Sequence, residues 1–347
     1  MTSSHQTHTP AAEEHFDLII IGTGSGNSIP SPEFDDQKIA IIEKGTFGGT
    51  CLNVGCIPTK MYVYAADIAV AAREAGRLGL DAQVNSVDWD SIVDRVFTNR
   101  IDQIAKGGEK YRRGEETPNI TVFDEHARFI GPKTIQTGEH VITGEQIVIA
   151  AGSRPVIPEV YAKSGVKYYT NEDIMRMDHQ PQSLIVVGGG YIAMEFAHVF
   201  DGLGTEVTVV NRSETLLRHL DDDLSSRFNQ IARDRFDVRI ANGTKLENTD
   251  NGVRLELDNG ESVEAEAILV ATGRTPNGDQ MDLDKAGIEL LADARVSTDE
   301  FGRTTAEGVW ALGDVSSPYM LKHVANAEER CVAHNLVHPN DLRPFPH

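Results

Sequence analysis

Residues 16–26 read FDLIIIGTGSG and residues 183–196 read SLIVVGGGYIAMEF. Each is a short apolar strand running into a cluster of glycines, and an uninterrupted apolar strand suits a parallel sheet covered on both faces. A glycine turn at the C-terminal end of such a strand lets the backbone approach a pyrophosphate, and a following helix aims its free N–H groups at that charge. One plan used twice predicts two nucleotide-binding units. Either turn alone could simply reverse the chain. Its neighbours decide the reading.

For the first turn, Gly22, Gly24 and Gly26 enclose Ser25, and Glu43 stands where an acid about 20 residues on can accept ribose hydroxyls. Asn27 occupies the place of the fingerprint's third glycine, and Pro30 and Pro32 must shorten or distort the helix. In the second, Gly188, Gly190 and Ala193 form G-x-G-x-x-A, with Tyr191 and Ile192 between. The next strand, EVTVV, ends in Asn211 and Arg212, and Arg218 follows, where an NAD site would place an acid. Arginines make charge-assisted bonds to a 2′-phosphate that an acid would repel, so NADPH is expected over NADH. Taken singly, each arginine could equally form a surface ion pair.

Between these turns lies KGTFGGTCLNVGCIPTK, residues 44–60, in which Cys51 and Cys56 enclose four residues and Lys60 follows. Such a pair can close a small disulfide ring. A helix beginning near it, with Lys60 at hand, would favour the thiolate, the reactive form of the thiol. Zinc binding through C-x4-C would need two further ligands, and Cys331 offers one distant candidate.

The chain's 347 residues exceed what one hydrophobic core usually organises, so two domains are expected. Its net charge of −21 argues against a nucleic-acid groove or an anionic membrane surface as partner. Three cysteines are too few for a secreted disulfide scaffold and fit a reducing cytosol. The polar, acidic start, MTSSHQTHTPAAEEH, reads as a disordered tail over 1–15 rather than a signal peptide. The apolar runs fall short of the ~20 residues of a membrane span. Asp88 to Arg112 reads as helical, and 119–149 as short strands broken by Gly131, Gly138 and Gly144.

With these residues in place, GGTCLNVGCIPTK resembles the redox-active segment of the pyridine nucleotide-disulfide oxidoreductases, the family of glutathione reductase, lipoamide dehydrogenase and mercuric reductase. The likeness extends through HARF, AAGSRP, ATGRTPN and ALGDV, covering the chain after its tail. It implies an α/β fold of two Rossmann-like domains, an NADPH domain at 157–275 inserted in a discontinuous FAD domain at 16–156 and 276–347. It implies an enzyme passing electrons from NADPH through FAD to the cysteine pair and on to a small-molecule disulfide. In that scheme Cys56 is the thiolate beside the flavin, Cys51 attacks the substrate, and Lys60 pairs with Glu195 near the flavin. FAD would be held by Gly22, Gly24, Ser25, Gly26, Glu43, Lys44, Gly49, Thr50, His126, Ala127, Ala151, Gly152, Asp314 and Lys322, the last standing where glutathione reductase has a threonine near the flavin pyrimidine, where a cation would stabilise reduced flavin. NADPH would be held by Gly188, Gly190, Tyr191, Ile192, Arg212, Arg218 and Gly273, with Tyr191 as a lid, and Arg274 would be a further cofactor-binding residue. Taken alone, Tyr191 could be a packed aromatic, Glu195 a solvated helix charge and Lys322 a surface lysine.

Pro32 and Glu33 stand where a glutathione-binding arginine pair would lie. This favours a disulfide carrying sugar and inositol groups over one rich in carboxylates. Family members are homodimers whose C-terminal domain supplies a histidine–glutamate acid in trans. No counterpart is expected before the chain stops at NDLRPFPH, so a monomeric or weakly associated chain short of full turnover is expected. Other family activities, or a nucleotide-binding redox module without turnover, are the competing expectations.

Overall fold

The computed structural model describes residues 14–347, which divide into two compact units. The first comprises 14–51, 104–154 and 275–347. Its sheet is built from β1 (Glu14–Ile21), β2 (Ile39–Ile42), β3 (Ile120–Phe123), β4 (Ala127–Gly131), β5 (Thr134–Thr137) and β6 (His140–Ile149), in the order β3-β2-β1-β6-β5-β4. Strands β3, β2, β1 and β6 are parallel, with Leu18 opposite Ile39 and Ile21 opposite both Ile42 and Ile149. On the far edge of β6, residues 140–143 pair antiparallel with β5, and 147–149 pair parallel with β14 (Val309–Ala311). Gly144, expected to break a strand, lies inside β6, while Gly131 ends β4 and Gly138 turns β5 into β6.

Period-two alternation explains why β1 reads as an uninterrupted apolar run. Ile19 and Ile21 enter one buried cluster, Leu18 and Ile20 another, so both faces of the strand are covered. Glu14 and His15, expected in the tail, open β1. The rest of that stretch, 1–13, lies outside the described residues.

The second unit comprises 52–103 and 155–274. Strands β7 (Ser183–Val187), β8 (Glu206–Asn211), β9 (Asp237–Ile240) and β13 (Ala267–Val270) form a parallel sheet ordered β9-β8-β7-β13. A separate antiparallel sheet joins β10 (Gly243–Thr249), β11 (Gly252–Leu257) and β12 (Ser262–Ala265). In β7, Leu184 and Val186 enter one core while Ile185 and Val187 enter another, repeating the arrangement of β1.

Residues 52–103, expected with the first domain, pack in the second unit. Helix α2 (Cys56–Glu74) lies along α3 (Tyr191–Leu203) and shares its core through Tyr62, Ala66, Phe196 and Phe200. Small residues permit the approach: a Cβ built on Gly202 would stand 2.7 Å from that of Ala66. The expected helix after Asp88 runs from Trp89 to Arg112 with a widened π stretch at Asp94–Ile101, and Asp88 caps it by accepting from Ser91 N–H at 3.0 Å.

Candidate functional site

The two glycine turns share one backbone device. Gly22 leaves β1 at φ +101° and donates its N–H to Ile42 O at 2.8 Å; Gly188 leaves β7 at φ +127° and donates to Val210 O at 2.9 Å. A Cβ would fall 2.4 Å from Ala150 O at the first and 2.2 Å from Ala271 O at the second. Both obstacles are backbone carbonyls, so neither turn admits a side chain.

Around the first turn the FAD residues expected from sequence come together within one unit. A Cβ on Gly49 would lie 2.6 Å from Gly24 Cα, so the start of the cysteine segment rests on the turn, with Thr50 next to it in α1 (Gly49–Asn53). Gly26 is buried against Ala150 and Ile20. Glu43, just past β2, accepts from Thr23 N–H at 3.0 Å, Thr23 Oγ1 at 2.6 Å and Gly45 N–H at 2.9 Å, bracing the turn. Lys44 Nζ donates to Gln280 Oε1 at 2.9 Å, and His126 meets Gln280 O at 2.7 Å, beside buried Ala127 at the start of β4. Asn277 donates from Nδ2 to Ala151 O and from its backbone to Gly152 O. Asp314 accepts from Ser153 Oγ at 2.6 Å. Lys322 heads α4 (Lys322–Val337) and donates to Ser25 Oγ at 2.9 Å. Asn277 closes the quoted ATGRTPN stretch without a role assigned to it, and Gln280 carries no signal in the sequence, since its partners Lys44 and His126 lie far along the chain.

The shortening expected from Pro30 and Pro32 goes further than a distorted helix. No α-helix follows the first turn: residues 26–28 and 32–34 form two short 3-10 turns separated by Pro30. Proline removes N–H donors and fixes φ, which breaks the α-helical ladder here. Asn27, in the third glycine's place, instead accepts from the buried Arg112 through Oδ1 at 3.0 Å and through its carbonyl at 2.6 Å.

Cys51 and Cys56 are joined in a disulfide. Cys56 is the first residue of the 19-residue α2, where the helix dipole favours a thiolate, and no acid stands in that first turn. One turn on, Lys60 forms an ion pair with Glu195 of α3. Asn171, 6% exposed, donates to Val54 O inside the ring at 2.9 Å, and Arg274 Nη1 donates to Asn171 Oδ1 at 3.2 Å. Arg274, expected among the cofactor-binding residues, thus supports the cysteine loop.

At the second turn the chain runs directly into α3, with Gly190 at its cap, Tyr191 half exposed at its first position and Ile192 packed against the core. Open space surrounds Gly190. Gly273, at φ +143°, accepts from Val156 N–H at 2.9 Å. Arg212 and Arg218 are both exposed past β8, and neither forms an ion pair among the described residues. Asn211 sits between them and the turn, 7% exposed, its Nδ2 donating to Ser213 O at 2.7 Å and Ser213 Oγ at 3.2 Å. The carboxamide folds the loop that carries the arginines.

Residues 16–329 match the family described as pyridine nucleotide-disulphide oxidoreductase. The chain belongs to that family. It is 51% identical over 333 residues to the mycothione reductase of Mycobacterium tuberculosis H37Rv, covering 93% of this chain and 71% of that protein. It is 31% identical to the glutathione reductase of Burkholderia cepacia, covering 92% and 70% respectively. Among solved structures it resembles the HOCl-induced flavoprotein disulfide reductase RclA of Escherichia coli as its Cu(II) complex, with a TM-score of 0.81, 26% identity and coverage of 93% and 71%. Among the described residues, no helix is long and apolar enough to cross a membrane, and no cluster of His, Cys, Asp or Glu could hold a metal ion.

Proposed function

We propose that this protein is an FAD-dependent disulfide reductase that takes electrons from NADPH and reduces mycothione, in a reducing cytoplasm. The observation that carries the reading is the Cys51–Cys56 disulfide at the head of α2, in a chain with two side-chain-free dinucleotide turns.

FAD fits the first turn by shape and by charge. Gly24 leaves bare backbone where a diphosphate needs approach, Gly22, Gly26 and Gly49 let the turn pack closely against Ala150, Ile20 and Gly24, and Lys322 supplies a half-buried ammonium beside it. Glu43 stands at the ribose end, with Asp314 and His126 further along the site. When bound, the flavin supplies a carrier that accepts a hydride from a nicotinamide and returns its electrons to a disulfide.

The protein's own groups perform the thiol chemistry. Reduction of the Cys51–Cys56 bond consumes two electrons and one proton and leaves Cys51 as a thiol and Cys56 as a thiolate held by the α2 N-terminus; the Cys51 proton passes to the departing sulfur of the substrate. Cys51, as thiolate, attacks one sulfur of the substrate disulfide, forming a mixed disulfide and releasing the first thiol. Cys56 then attacks Cys51, releasing the second thiol and restoring the ring. Lys60 and Glu195 fix one another beside that helix head, while Asn171 and Arg274 hold the loop between the sulfurs. Arg212 and Arg218 bind the 2′-phosphate of NADPH.

Mycothione as substrate rests on the 51% identity to mycothione reductase and on Glu33, exposed where a glutathione carboxylate would need a cation. Adding FAD to flavin-free protein should give a stable yellow complex, and Gly22→Val should abolish it while Gly260→Ala, at a remote surface turn, should not. No flavin uptake by the wild-type protein would remove the cofactor assignment.

Asn211→Asp tests the nicotinamide site. The aspartate loses the bonds Nδ2 donates to Ser213 and Thr215 and places a carboxylate where a 2′-phosphate would bind, so NADPH affinity should fall about 10-fold or more while NADH affinity is kept or improved. Equal changes in both would show that Asn211 merely stabilises the loop.

A further inference from the structure

We propose that Lys322 binds the diphosphate of FAD from α4, supplying the positive charge that a helix after the first glycine turn would otherwise provide. The proposal rests on the FAD reading above and assigns the lysine one moiety of that cofactor.

Three observations converge on it. The second glycine turn opens the 13-residue α3, whereas the first opens a three-residue 3-10 turn too short to carry a helix dipole. A diphosphate at the first site therefore lacks the aligned N–H groups available at the second. Lys322 is aimed at that deficit: its Nζ donates to Ser25 Oγ at 2.9 Å, and Ser25 Oγ donates to Asn326 Oδ1 at 3.0 Å. Ser25 lies between Gly24 and Gly26 and is 8% exposed, so the first turn of α4 is fastened onto the glycine turn itself.

The third observation is electrostatic. Lys322 forms no ion pair among the described residues; Glu329 and Asp314 act on it only from beyond contact, and burial pulls its pKa down. A partly desolvated ammonium whose neighbour is a neutral hydroxyl is stabilised by an anion. Its place beside Ser25 selects the phosphate end of the cofactor over the isoalloxazine ring.

The test uses the full chain freed of flavin, titrated with FAD by fluorescence quenching and, separately, with ADP-ribose as a competitor that carries the diphosphate but no flavin ring. Lys322→Met keeps the aliphatic stem, and Lys322→Arg keeps the charge; melting temperatures verify that both fold. Lys322→Met should weaken FAD and ADP-ribose by the same factor, about 10- to 100-fold, and reduce the salt dependence of both. Lys322→Arg should recover most of the loss. Weakened FAD binding with unchanged ADP-ribose binding would place the lysine at the flavin ring and overturn the proposal, as would no change in either. Should Lys322→Met fail to fold, the Arg variant's equal retention of both ligands, with Ser25→Ala equally weakening both, would support the proposal, and any unequal pattern would overturn it. A wild-type chain that binds no FAD fails the cofactor reading itself, and the proposal falls with it.

Discussion

Cys56→Ser and Cys51→Ser should each abolish stoichiometric reduction of a disulfide substrate by the NADPH-treated, FAD-loaded protein. A serine hydroxyl remains protonated at neutral pH and cannot form the disulfide ring, so Cys51→Ser should release less than about a thousandth of the wild-type thiol, while Cys56→Ser should stop after the single thiol freed when Cys51 forms the mixed disulfide. The two variants should differ in a second readout. Cys51 is the proposed attacking thiol, and Cys51→Ser removes the group that forms the mixed disulfide. Cys56→Ser leaves Cys51 able to attack but with no partner to resolve the product, so the substrate's thiol should remain bound to Cys51 and be detectable by mass. Because Cys56 heads α2 and Cys51 lies in α1, the helix dipole acts on Cys56 alone. A Cys51→Ser protein should therefore react with iodoacetamide at Cys56 well below the pH at which an ordinary thiol of pKa about 8.5 does. Equal residual reduction by both variants would mean that the pair is structural.

Replacing Arg212 and Arg218 together by alanine should cost NADPH binding about 100-fold or more while changing NADH binding less than about 3-fold. Each guanidinium makes a charge-assisted bond to a phosphate that NADH lacks, and such bonds contribute about 1.5–3 kcal/mol apiece. Both side chains are exposed and without ion pairs among the described residues, so their removal leaves no buried acid uncompensated and should hardly move the melting temperature. High salt should erode the wild-type preference for NADPH, since these are surface charges. Parallel losses for both nucleotides would reassign the arginines to the common part of the molecule.

How far the sequence exposes this arrangement depends on whether a feature is local. The glycine turns and the cysteine segment are local, because strand, turn and reactive pair are each written within about a dozen residues and constrained by backbone sterics. Pro30 and Pro32 likewise announce a disturbed helix, though not its reduction to 3-10 turns at 26–28 and 32–34. Packing is different. That 52–103 joins the second unit follows from Ala66 meeting Gly202 and Tyr62 entering the core of α3, contacts that hydrophobic periodicity in either helix does not encode. The Arg274–Asn171–Val54 support of the cysteine loop spans distant segments and depends on one buried amide. Lys322 carries a signal in its departure from the family's usual threonine, but its partner, Ser25, is 297 residues away and emerges only in three dimensions.

Differential alkylation measures directly whether NADPH electrons reach the Cys51–Cys56 disulfide. The FAD-loaded protein, held anaerobically with or without NADPH, is trapped with iodoacetamide and digested. The account predicts that Cys51 and Cys56 become alkylated with NADPH, to a far smaller extent with equal NADH, and not at all without nucleotide, while Cys331 labelling is the same in all three samples. Flavin bleached by NADPH with both cysteines still joined would contradict it.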